Sequence, residues 1–188
     1  MPWKGIAAVM AALADAEGIG ALAVRFACLT AARSLEVREA RWGEVDLEEK
    51  TWTLAAERMK GKKEHRVPLS AAAIAVLEEL KPALADKDAF IFPGGRPGNP
   101  LSDVALSKAL HLAAGRKGVT VHGLRSTFRD WAAEQSDFPR DAAEMALAHA
   151  IGSKVEAAYR RGDLFEKRRE MMEAWGSWCC SQPAEQSA

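Results

Sequence analysis

The chain holds a single tyrosine, Tyr159, together with a dispersed set of basic and proton-exchanging side chains: Arg33, Lys60, His122, Arg125 and His149. A phenol with its ordinary pKa of about 10 is a poor nucleophile at neutral pH. It reacts when cations or a proton acceptor lie beside it, and these five residues are of the types that supply them. His149 precedes Tyr159 by ten residues, and His122 and Arg125 share a His-Gly-Leu-Arg segment further upstream. In an arbitrary chain a lone tyrosine is more often an amphipathic side chain at the edge of a core. Taken alone, Arg33 reads as a helix-end cation and Lys60 as a solvated turn lysine.

A length of 188 residues suits one domain with a real core. Lysine plus arginine (26) equals aspartate plus glutamate (26), so the totals do not mark a strong autonomous nucleic-acid binder. Locally, Arg58, Lys60, Lys62, Lys63, His65 and Arg66 face only Glu64 within their segment, which suggests a basic edge. Cys28, Cys179 and Cys180 have neither disulfide-framework nor metal-ligand spacing, and a reducing cytoplasm is their simplest home. His65, His122 and His149 form no close pair and have no acidic cluster nearby in sequence, so no metal is expected. Gly61-Lys62 lacks the upstream glycine and the following hydroxyl of a phosphate-binding loop. Asp15, Glu17 and Arg25 interrupt the apolar stretches, so no membrane span or cleavable signal is expected.

Periodicity predicts a mainly α fold with a small antiparallel β-sheet. Helices are expected near residues 3–16, 21–32 and 36–41, then β-prone residues 51–54 and 65–69 around a Lys-Gly-Lys-Lys-Glu turn. Ser70 reads as the cap of an alanine-rich helix ending near Leu84. Residues 93–100 are a glycine- and proline-rich loop. Further helices are expected over 102–114, 124–135, 140–149, 153–160 and 164–178, and a disordered tail from residue 182. Ser153 with Glu156, and Asp163 with Glu166, fit capping boxes that bracket Tyr159 in its own short helix. On one continuous helix His149 and Tyr159 would lie about 15 Å apart on different faces. A turn at Ile151-Gly152-Ser153 is therefore required for them to converge.

Five segments, TAARSLEVREARW, ERMKGKKEHRVPLS, HGLRSTFRDWAAE, MALAHAIGSK and VEAAYRRGDLFEKRREMMEAW, in this order resemble the catalytic domain of the tyrosine recombinases, specifically bacterial prophage integrases. The resemblance spans residues 1–181 and implies that family's catalytic-domain fold. It places the catalytic arginines at Arg33 and Arg125, their supporting acid at Glu36, the β-hairpin lysine at Lys60, the histidines at His122 and His149, and the nucleophile at Tyr159. Leu35 departs from the glycine common in relatives. The implied reaction is attack of the tyrosine oxygen on a DNA phosphodiester, giving a 3′-phosphotyrosyl link and a free 5′-hydroxyl. The bond energy stays in the link, so neither ATP nor metal is implied. Arg33 and Arg125 would stabilise the phosphate oxygens with His149 as an added donor, Lys60 would protonate the leaving oxygen, and His122 would assist. Lys62, Lys63 and Arg66 are implied DNA contacts.

The implied partner is a double-stranded DNA attachment site. The stripe Leu164, Phe165, Met171, Met172, Trp175 and Trp178 reads as core, or, by the resemblance, as a contact through which the C-terminal helix joins a neighbouring protomer on DNA. The family's N-terminal DNA-binding domains have no counterpart in the sequence, so weak, salt-sensitive DNA binding is expected. Two other classes compete: a catalytically silent DNA-binding or protein-interaction remnant, and a helical scaffold unrelated to DNA. A scaffold predicts that Arg33, Arg125, His149 and Tyr159 are scattered.

Overall fold

A computed structural model describes residues 1–80, 86–149 and 162–181. A 3-10 turn at Trp3–Gly5 leads into α1 (Ile6–Ala14), α2 (Ile19–Thr30) and α3 (Ser34–Arg38). Strands β1 (Val45–Asp46), β2 (Thr51–Leu54) and β3 (His65–Pro68) follow, and then α4 (Ala71–Leu80), α5 (Asp103–Ala113), α6 (Val121–Gln135), α7 (Arg140–Ala146) and α8 (Phe165–Cys179). Among the described residues no helix is long and apolar enough to cross a membrane.

Helix α2 is the hub. Ala21, Ala23, Val24, Phe26, Ala27, Cys28 and Leu29 are buried around nearly its whole circumference, the signature of a helix enclosed by others. It packs against α1, α4, α5, α6 and α8, and its small residues permit that close approach. Because the hub is enclosed, its C-terminal end emerges inside the molecule, and Arg33 lies three residues beyond it.

The strands form an antiparallel sheet in the order β1-β2-β3, with Trp52 opposite Val67 and Leu54 opposite His65. Trp52 points inward and meets Phe26 at a ring-centroid distance of 5.2 Å. The middle of the α8 apolar stripe is taken up within this chain: Met171, Met172 and Trp175 are fully buried beside Cys179, whereas Leu164, Phe165 and Trp178 are half-buried. Trp175 packs on Trp131 and Phe128, and its Nε1 donates to the Cys28 carbonyl at 2.8 Å. Burial of such a side chain contributes roughly 1.5–3 kcal/mol or more. Gly176 is required where α8 crosses the start of α4, since a Cβ there would lie 2.7 Å from Ser70 Oγ.

Several boundaries differ from expectation. Helix α3 begins at Ser34, with Leu35 exposed on its first turn, and α6 begins at Val121 rather than Leu124. Helix α7 stops at Ala146, three residues short of His149. Asp163 does accept the Phe165 amide at 3.2 Å, but Glu166 turns to Arg169 at 3.3 Å instead of completing a capping box. The expected helices over residues 81–84 and 153–160, the turn at 151–153 and the tail from 182 lie outside the described residues.

Candidate active site

At the end of α2 the chain turns through Ala31 in the left-handed conformation (φ 49°) and runs extended through Arg33, the residue before α3. Glu36, one turn into α3, is buried and accepts the Arg33 amide at 2.8 Å and the Arg33 Nη1 at 2.7 Å. One carboxylate thus caps the helix and fixes the guanidinium beside it, combining a backbone cap with a charge-assisted bond.

Helix α6 delivers Arg125. The Thr120 hydroxyl accepts the Gly123 amide at 3.0 Å, which sets the helix start at Val121 and puts His122 and Arg125 one turn apart on the same helix. His122 is exposed and Arg125 is buried. Arg125 Nη1 donates to the Ala31 carbonyl at 2.5 Å and Nη2 to the Leu147 carbonyl at 2.6 Å. These carbonyls belong to the C-caps of α2 and α7, where the negative ends of two helix dipoles favour a cation. Burial, followed by repulsion from Arg33, lowers the Arg125 pKa to about 10, so the group stays charged at neutral pH. Its Nε is buried without a partner among the described residues.

Helix α7 ends in a Schellman turn. The Ala148 amide bonds the Met145 carbonyl at 3.0 Å, the His149 amide bonds the Glu144 carbonyl at 2.9 Å, and Ala148 takes φ 49°. This reversal folds His149 back over Glu144, with Nδ1 2.7 Å from Glu144 Oε2 and Nε2 3.3 Å from Arg125 Nη2. Three consecutive carbonyls at the end of α7 meet donors from elsewhere in the chain. Ala146 takes a hydrogen bond from His65, Leu147 takes Arg125, and Ala148 takes Arg33 Nη2 at 3.5 Å.

The β2–β3 connection carries Lys60. Met59 is buried just before it, and Arg58 is turned inward, donating to the Glu36 carbonyl at 2.9 Å and pairing with Glu44. These two anchors leave Lys60 exposed at the start of the loop tip, with no ion-pair or hydrogen-bond partner among the described residues. Lys62 and Lys63 are exposed further along. Arg66 pairs with Asp163 at 3.0 Å, and the fully buried Arg168 grips that same carboxylate at 2.9 Å and the Arg66 carbonyl at 2.7 Å. Burial alone would raise the Asp163 pKa, but the Arg66 hydrogen bond and the charges of Arg168 and Arg66 together lower it. The basic edge is therefore narrower than its sequence: Arg58 and Arg66 are engaged in ion pairs.

Arg33 with Glu36, Arg125 and His149 are thus brought together from three places in the sequence, and these residues are not scattered as an unrelated scaffold would have them. Tyr159 lies outside the described residues. His65 and Glu144 also belong to this cluster, and neither stood out as a site residue in the sequence. His65 had one legible signal, a β-strand histidine immediately before Arg-Val-Pro-Leu. Burial, then the Arg168 and Arg33 charges, hold its pKa down to about 4, against Glu36 and the Ala146 hydrogen bond.

Residues 4–164 match the family model for the phage integrase family. Prophage integrase IntA of Escherichia coli K12 is 43% identical over 78% of this chain and 35% of its own length. The integrase of Shigella phage Sf6 is 34% identical over 95% of this chain and 47% of its own. The solved integrase from mycobacterium phage Brujita shares the fold, with a TM-score of 0.68 at 17% identity across 96% of this chain and 58% of that one. The chain spans between about a third and a half of the length of these curated relatives. With the family model matching most of its residues, the chain belongs to the phage integrase family.

Proposed function

We propose that this domain cleaves and rejoins DNA at an attachment site through a 3′-phosphotyrosyl intermediate on Tyr159, in site-specific recombination of the kind its integrase relatives' names denote. The observation that carries the reading is the placement of two guanidinium groups, Arg33 and Arg125, on the paired C-termini of α2 and α7, with His149 against the second. Two like charges held together raise each other's cost, and an anion between them relieves it. A phosphate whose oxygens gain charge in the transition state is such an anion, and preorganised donors stabilise it most where water is excluded.

In this reading Glu36 fixes Arg33, Lys60 protonates the departing 5′-oxygen from its mobile-stemmed side chain, and His122 assists at the exposed first turn of α6. Lys62, Lys63 and Arg66 contact the DNA backbone around the site, Arg66 exchanging Asp163 for phosphate. Residues 1–181 form the catalytic domain, acting in the cytoplasm where the DNA lies. Self-association on DNA uses the outer face of α8, since Met171, Met172 and Trp175 of its apolar stripe are buried within the chain. A nicked suicide substrate, from which the cleaved fragment diffuses away, tests the assignment. Covalent protein–DNA adduct is expected with the wild type and none with Tyr159→Phe; an adduct of undiminished yield from Tyr159→Phe would refute it.

A further inference from the structure

We propose that Glu144 is a positioning residue for His149, holding its imidazole as the Nδ1–H tautomer with Nε2 turned toward Arg125 and the phosphate; this rests on the reading of the site just given. A guanidinium can only donate hydrogen bonds and an ionised carboxylate can only accept them. His149 lies between one of each, 3.3 Å from Arg125 Nη2 and 2.7 Å from Glu144 Oε2. Nε2 is therefore the acceptor and Nδ1 carries the proton. Exchanging the tautomer would set a lone pair against the carboxylate and an N–H against the guanidinium, and flipping the ring would set C–H groups against both.

The backbone builds this arrangement. In a Schellman turn the residue two beyond the helix cap usually makes a hydrophobic contact with the residue at the third-last helical position. Here those positions are His149 and Glu144, and a charge-assisted hydrogen bond replaces the apolar contact. Glu144 is held from its other oxygen by Arg129 Nε at 3.3 Å. Arg129 lies one turn after Arg125 on α6, so the two arginines, Glu144 and His149 close a ring of side chains across the α6–α7 junction.

The consequence for chemistry concerns orientation. A phosphate oxygen accepts from Arg125 more strongly than a ring nitrogen does, so an arriving phosphate displaces Nε2 from the guanidinium. Nδ1 keeps its proton and its Glu144 partner whether the imidazole is neutral or cationic. The Nε2 edge therefore stays aimed at the phosphate in both states, and a protonated His149 donates from it without the ring turning.

The imidazole nitrogens of the intact chain, resolved by 1H–15N NMR and assigned with His149→Asn, test this directly. In the wild type His149 is expected to be protonated at Nδ1 and bare at Nε2, the minority form of free imidazole. In Glu144→Ala the population should move to Nε2–H and the ring should lose its fixed aim at the phosphate, so that single-turnover cleavage falls by up to about 10²-fold, the cost of one misplaced transition-state donor, with DNA affinity unchanged. An Nε2–H form in the wild type, the same tautomer in both proteins, or unaltered cleavage by Glu144→Ala would overturn the proposal. Should Glu144→Ala not fold, the wild-type tautomer alone decides. A wild type that never cleaves DNA counts against the proposed function, and the tautomer still decides this inference.

Discussion

The Nη2 atom of Arg125 lies 2.6 Å from the carbonyl oxygen of Leu147, so a buried side chain of α6 closes the C-terminus of α7. Its Nη1 closes α2 at Ala31 in the same way. The residue proposed to bind phosphate therefore also joins the helices that shape the site. Arg125→Ala strands both carbonyls and should cost about 2–4 kcal/mol of stability as well as abolishing cleavage. Arg125→Lys, a point charge without the fork, should recover only part of the stability and little of the cleavage. Urea unfolding measures the first effect; a fully stable Arg125→Ala chain would show that the helix ends do not depend on this cation.

Ala148 holds a left-handed backbone conformation where most such turns have glycine. An alanine there stores strain on the order of 1 kcal/mol. Ala148→Gly should raise the unfolding midpoint by an amount corresponding to a gain of up to about 1 kcal/mol, with cleavage retained. A loss of stability would mean that the alanine methyl contributes more by packing than the backbone loses by strain.

His65 supplies a pH signature. Its pKa is lowered from 6.5 to about 4 in the folded chain, first by burial and then by Arg168 and Arg33, against Glu36 and the Ala146 backbone. Between those values the unfolded chain binds a proton that the folded chain does not. The stability contribution is therefore complete above about 6.5 and falls as the pH drops toward 4. His65→Gln should flatten the dependence over that window. Identical slopes for wild type and variant would show that His65 is not the group responsible.

Lys60 is exposed and unpaired among the described residues, so Lys60→Ala should change stability by no more than about 0.5 kcal/mol. If Lys60 protonates the leaving oxygen, cleavage should fall by about 10²–10⁴. A substrate with sulfur in place of the 5′-oxygen leaves as a thiolate, which needs no proton, and should restore most of the lost rate. A Lys60→Ala defect that persists on the sulfur substrate would assign Lys60 to binding instead.

The order of the described helices and of β2 and β3, and the apolar run of α2, were legible because each rests on local periodicity. The unread features depend on contacts distant in sequence or on unusual local conformation. Helix α6 was expected to start at Leu124 because Val121 and Gly123 are weak helix formers, yet the Thr120 cap recruits both. Helix α7 was expected to reach His149 because no glycine marks its end; Ala148 makes the reversal instead. On a continuous helix Glu144 and His149, five residues apart, would point to different faces, so their pairing was hidden until the turn was placed. Arg58 looked like part of a basic edge, but Glu44 and the Glu36 carbonyl draw it inward. The two-residue strand β1 is too short to carry a pattern.

The claim on which all of this turns is that Tyr159 becomes the covalent link to DNA. Trypsin cuts this chain after Lys154 and Arg160, so Tyr159 falls in the peptide Val155–Arg160. Mass spectrometry of the adduct trapped on a suicide substrate, after nuclease and trypsin digestion, should find a nucleotide on that peptide, fragmenting at Tyr159. A nucleotide carried by any other peptide would contradict the account.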